Sequence, residues 1–224
     1  MITQTQLTPD TIIYPDSDGK PMADNTQQFR WIQIIHHNLE WLFAQNPEVF
    51  VAGDLLWYPV EGNNKIRQAP DVMVIFGVKK GDRGSYQQWK ENNIAPQVVF
   101  EILSPGNTLT EMSRKQIFYD RYGVEEYYIY DPDRNDLSGW IRSQEHLTLI
   151  DNINGWVSPR LSICFHWSDT TLRLTRPNGQ PFATYNDVSQ QLEDTSQQLS
   201  AERQRADRLA QRLQELGIDP DTLQ

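Results

Sequence analysis

The amino-acid sequence predicts a mixed α/β sandwich with a helical tail, and three observations carry that prediction. Residues 72–78 and 98–103 are short, β-branched runs that are apolar on both alternating phases, as interior strands covered on both faces are. Helical periodicity at 27–44 and again after Thr108 alternates with them, and hairpin-like segments follow. From Val188 onward the seam positions recur in heptads.

Residues 12–22 contain Asp18-Gly19, a hairpin turn signal between short extended runs. Thr26 is placed to cap a helix over 27–44 that gathers Phe29, Ile32, Ile35, Leu39 and Leu42 or Phe43 on one side. Residues 49–58 read as a strand, and the polar stretch 79–93, rich in Gly and charge, separates the two apolar strands. Thr108 and Glu111 have the spacing of a capping box for a helix running to Tyr122, where Gly123 ends it in a left-handed turn. Residues 126–131 form a further strand closed by Pro132. Residues 139–150, 156–167 and 171–185 read as later hairpin strands, with turns at Asn154-Gly155 and Asn178-Gly179.

The tail differs in pattern. Val188, Leu192, Thr195, Leu199, Glu202, Ala206, Leu209, Leu213 and Leu216 recur at alternating steps of four and three, with polar residues between them. So narrow a stripe suits a self-pairing coiled coil, making a homodimer through residues 188–216; one amphipathic helix packed on the body is the alternative. Gly217 and Pro220 stop the helix. The expected division is a domain over 1–185 and a coiled-coil tail over 186–224.

The 224 residues carry 30 acidic and 20 basic side chains, a net charge of −10. Eight of the acids and four of the bases lie in 186–224, which leaves 22 and 16, or −6, for the rest. A domain of this size buries roughly 70% of its unfolded surface and needs neither disulfide nor structural metal. Cys164 has no second cysteine to bridge to, and no Cys/His cluster has zinc spacing. A reducing, cytoplasmic setting is expected. The first residues, MITQTQLTPD, have no export leader, and the longest apolar stretch, 72–78, is far short of the ~20 residues that span a bilayer. The acidic balance argues against loose adhesion to nucleic acid or anionic lipid, whereas acidic clusters suit divalent cations.

Two carboxylates interrupt the apolar strands. Asp71 opens the first, in Ala-Pro-Asp-Val-Met-Val, and Glu101 sits inside the second, in Val-Val-Phe-Glu-Ile-Leu. A lone ionised carboxylate in an apolar sheet is costly, so each needs a cation, a metal or a full set of donors. Asp71 reads otherwise as a turn residue, and Glu101 as half of a structural ion pair. Lys115 falls on the helix face that holds Met112, Tyr119 and Tyr122, so its stem travels toward the sheet. An exposed Glu111–Lys115 pair is the competing arrangement. Two strand carboxylates and a nearby lysine suit a hard divalent cation and a phosphate. Asp54 and Glu40 are weaker candidates for a further acidic position, and Lys79, Lys80, Arg83 and Lys90 form the best local basic group for gripping phosphates. His36 and His37 lack ligand spacing, and no nucleotide-binding Gly-x-x-x-x-Gly-Lys string exists.

The strings Gln-Ala-Pro-Asp71-Val, Val-Val-Phe-Glu101-Ile-Leu-Ser-Pro-Gly-Asn-Thr and Lys115-x-x-x-Tyr119-x-x-Tyr122-Gly-Val-Glu-Glu-Tyr-Tyr-Ile-Tyr-Asp-Pro resemble the predicted endonucleases of the Uma2 (DUF820) family, a branch of the PD-(D/E)xK restriction-endonuclease-like superfamily. The resemblance covers about residues 24–142. It implies a restriction-endonuclease-like mixed sheet flanked by helices, with Asp71 and Glu101 as metal ligands and the Ile102 main-chain carbonyl as another. The superfamily's usual lysine, two residues after the glutamate, is Leu103 here, which moves that role to Lys115. The expected function is Mg²⁺-dependent hydrolysis of DNA phosphodiesters, with Mn²⁺ as a substitute ion. The alternative is a noncatalytic nuclease-fold protein that dimerises through its last helix.

Overall fold

The computed structural model describes residues 12–19 and 21–216. The expected helix stop at Gly217 and Pro220, and the first residues MITQTQLTPD, lie outside them. In chain order the elements are α1 (Thr26–Leu42), β1 (Val49–Gly53), β2 (Trp57–Tyr58), β3 (Val72–Phe76), β4 (Tyr86–Gln87), β5 (Val98–Ile102), α2 (Leu109–Arg121), β6 (Glu126–Asp131), β7 (Asp136–Ser143), β8 (His146–Leu149), β9 (Cys164–Trp167), β10 (Leu172–Thr175) and α3 (Tyr185–Glu215). The described chain divides between Phe182 and Ala183 into two compact units.

In the first unit, six strands form one mixed sheet in the order β1-β3-β5-β6-β7-β8. Within this sheet only β5 and β6 pair in parallel, and α2 supplies the crossover that a parallel neighbour requires. Period-two alternation divides β3 and β5 between two cores. Val72, Val74, Val98, Phe100 and Ile102 face the core with α1 residues Ile32, Ile35 and Leu39. Met73, Ile75 and Val99 face the other, with Tyr119 of α2. Asp71 and Glu101 share the phase of Met73 and Val99, so both belong to the α2 side.

Several local expectations are corrected. The cap of α1 is Asn25, whose side chain accepts from the Gln27 and Gln28 amides, while Thr26 is already helical. Phe29 is 40% exposed and the buried stripe holds Gln28 and Asn38 instead. The single strand expected over 49–58 is two, because Asp54 adopts φ +47, a left-handed conformation that Asp tolerates better than most residues. No strand forms among the described residues of 12–22. Only half of the α2 capping box is made, Glu111 N–H to Thr108 Oγ1 at 3.2 Å; the full box is at α3, between Thr184 and Asp187. Gly123, at φ +89, follows the end of α2 as expected.

Glu126, in the Gly-Val-Glu-Glu-Tyr string, is fully buried on the far side of the parallel pair. Its carboxylate accepts from Tyr128 OH at 2.8 Å, from the Arg160 amide at 2.6 Å and from Ser158 Oγ. That satisfied network ties residues 158–160 to the sheet, so this acid serves the fold. Three tryptophans serve it too: Trp57 is buried and donates to Gln88 Oε1 at 2.9 Å, and Trp140 and Trp156 pack on the cores. No described helix is long and apolar enough to cross a membrane.

Candidate active site

Strand register assembles the site. Gly53 pairs with Val72 and Val72 pairs with Phe100, so one step further the residues in line across β1, β3 and β5 are Asp54, Asp71 and Glu101. Like charges directly opposed on neighbouring strands repel, so such a row persists only with compensating positive charge or protons. Lys115 supplies one charge: its Nζ donates to Glu101 Oε2 at 2.7 Å. Tyr119, one turn further along α2, donates its hydroxyl to Glu101 Oε1. The inward course of the lysine is therefore the one adopted, while Glu111 accepts from Asn107 Nδ2 at 3.4 Å.

Asp71 is 8% exposed and its Oδ2 accepts the Ile102 amide at 2.6 Å. Burial, and next the charge of Glu101, hold its carboxyl well above the ordinary aspartate value. Burial also raises Asp54, helped by Asp18 and Glu101 and opposed by Lys115. Desolvation alone pushes the Lys115 ammonium down, but Glu101 and Asp71 outweigh it and the net shift is upward. The lysine is thus cationic at neutral pH, which suits it to neutralise or orient and not to abstract a proton.

These groups meet at a cleft of about 350 Å³ lined by Asp54, Asp71 and Lys115. Glu101 does not line it; at 2% exposure it lies behind the lysine. Among the described residues, five carboxylates (Asp18, Asp24, Asp54, Asp71 and Glu111) face the cleft against two basic side chains, Arg67 and Lys115. The donor set is all oxygen and its charge surplus is negative, which fits a hard divalent cation. No described cluster of three His, Cys, Asp or Glu side chains forms a ready cage. A bound ion would draw on few side chains and on water, as Mg²⁺ prefers.

The structure does not bring every sequence candidate here. Glu40 lies 3.7 Å from Lys80 and away from the cleft. Arg83 bonds Glu91 at 2.8 Å, donates to the Lys79 and Gly81 carbonyls and covers the Phe50 ring, which makes it a staple of its own loop. Lys79 and Lys90 are exposed and do not line the cleft. Three participants were not singled out. Gln28, buried on α1, donates to the Ile102 carbonyl at 2.8 Å; Tyr119 holds Glu101; Arg67 is the second cation of the cleft. A glutamine in line with Ile32, Ile35 and Leu39 was the available signal for the first of these.

Among solved structures, the chain is similar to that described as "Crystal structure of a putative nuclease belonging to DUF820 from Anabaena variabilis ATCC 29413", at 17% identity and a TM-score of 0.46, over 62% of this chain and 74% of that one. No curated protein matches. The family model Uma2, described as "Putative restriction endonuclease", matches residues 18–152, which is more than half of the sequence. The chain belongs to the Uma2 family.

Proposed function

We propose that the chain is a divalent-metal-dependent endonuclease that hydrolyses DNA phosphodiesters, its catalytic unit spanning about residues 1–185. The observation that carries this reading is the row of Asp54, Asp71 and Glu101, whose first two members line a cleft where, among the described residues, five carboxylates meet two basic side chains, Lys115 and Arg67. An acidic cleft repels a phosphodiester unless a cation stands between them, so the surplus charge argues for metal-assisted chemistry. The family's description supports DNA as the substrate.

In this reading Asp71 would hold Mg²⁺, or Mn²⁺ in its place, from the cleft, Glu101 behind Lys115 and the Ile102 carbonyl would be the further ligands that the family resemblance implies, and Asp54 adds acidity at the rim. When bound, the ion supplies a water of lowered pKa and offsets charge on the phosphate. The chain's own residues do the rest. Lys115, cationic and fixed by Glu101, orients the attacking water or neutralises charge that develops on phosphorus. Tyr119 fixes the Glu101 carboxylate, and Gln28 fixes the main chain at Ile102. Arg67 is the side chain best placed to hold a phosphate.

The test is plasmid cleavage by the purified full chain. Nicking or linearisation is expected with Mg²⁺ or Mn²⁺ and is expected to disappear in EDTA. Absence of cleavage with either ion, or cleavage indifferent to EDTA, would overturn the proposal.

A further inference from the structure

The second unit is dominated by α3, a 31-residue helix without a buried residue. Its seam places 192, 199, 206 and 213 at heptad a, and 188, 195, 202, 209 and 216 at d. Leu192, Leu199, Leu209 and Leu216 are all more than half exposed. A row of exposed leucines on one face of a single helix calls for a covering surface.

Charge along the helix is segregated. From Tyr185 to Glu202 there are four acidic residues and no base; from Arg203 to Leu216 there are four arginines and two acids. Two such helices laid parallel and in register set acid beside acid and arginine beside arginine. They also bring Glu202 against Glu202 in a d layer, where two carboxylates share an apolar seam. Antiparallel pairing about a two-fold axis between Ser200 and Ala201 removes both conflicts. The acidic half of each helix then lies along the basic half of the other, and every a position meets a d position: Leu192 with Leu209, Val188 with Leu213, Tyr185 with Leu216. Glu202 faces Leu199 and not its own copy.

We propose that α3 is a self-association element that pairs with the α3 of a second copy in antiparallel orientation, an isologous contact in which the two helices exchange the same patches. The pairing stands independently of the nuclease reading.

Disulfide trapping in the full chain, on a Cys164→Ser background that removes the native thiol, tests it. Leu192→Cys and Leu209→Cys are made separately. In the antiparallel pair, copies of residue 192 are roughly 25 Å apart along the axis at 1.5 Å per residue, so neither variant links to itself. An equilibrated equimolar mixture links about half of its chains, as 192–209 heterodimers. Self-linking of each variant alone would establish parallel pairing and overturn the orientation. A mixture that does not link, together with a monomeric sedimentation mass for the unmodified chain, would overturn self-association. Salt gives an independent reading: complementary halves predict several-fold weaker dimerisation between roughly 0.05 and 0.5 M salt, and strengthening with salt contradicts them.

Discussion

Asp71→Asn is expected to abolish metal-dependent cleavage while making the metal-free protein more stable. The two effects have one cause. Asp71 is buried beside Glu101, and its folded-state pKa lies above its ordinary value of 3.8. The folded chain therefore holds a proton that the unfolded chain releases, and stability falls as pH rises from about 3.8 through the folded value. Asparagine removes the titrating group and keeps an oxygen to accept the Ile102 amide, so the hydrogen bond survives. In EDTA at neutral pH the variant should gain on the order of 1 kcal/mol, or about 2–4 °C in Tm. Its pH–stability profile should lose the acid-limb fall contributed by Asp71. Cleavage should drop by at least about 10²-fold, because a carboxylate that binds a cation is replaced by a neutral amide. Thermal melts and plasmid nicking on one preparation check both. A variant that is destabilised in EDTA, or one that still cleaves at the wild-type rate, contradicts the assignment.

Lys115→Met is expected to have the largest cost in stability of any single substitution at the site. Lys115 and Glu101 are paired at 2.7 Å with side-chain exposures of 12% and 2%, so solvent does little to screen the loss. Methionine fills the space of the lysine stem but leaves the Glu101 carboxylate facing Asp71 with no ammonium between them. Removing one partner of a buried pair costs about 3–5 kcal/mol. Adding Glu101→Gln should recover most of that, since the amide carries no charge and its oxygen still accepts from Tyr119. The double variant should fold and remain inactive, which separates the electrostatic role of the lysine from a packing role. Urea unfolding of the single and double variants measures the coupling. If Lys115→Met costs no more than an exposed pair does, about 0–1 kcal/mol, the buried pair is not what holds Glu101 in place.

What the sequence disclosed depended on how local the governing physics was. The strands 72–76, 98–102 and 126–131 were readable because short runs of β-branched or aromatic residues bounded by Pro, Gly or polar residues have few other uses. The inward course of Lys115 was readable from helix periodicity, since its wheel neighbours Met112 and Tyr119 are both buried. The break at Asp54 was not, because a single left-handed residue leaves no signature in hydrophobic pattern, and with it went the row of acids across β1, β3 and β5. That row depends on the antiparallel register of strands some twenty residues apart, a nonlocal property. The same holds for Arg83. Its charge advertised a phosphate grip, but Glu91 and two carbonyls of its own loop consume its donors. The buried Glu126 shows the converse case, an acid of the family string whose three donors come from Tyr128, Ser158 and Arg160 and which serves the fold alone.

The proposed cation site is formed by Asp71 and its neighbours. Soaking crystals of the full chain with Mn²⁺ and collecting anomalous diffraction tests it most directly. A peak is expected in the cleft bonded to a carboxylate oxygen of Asp71, lost in Asp71→Asn. A soak that leaves the Asp71 cleft without a peak while Mn²⁺ occupies other carboxylates of the protein would contradict it.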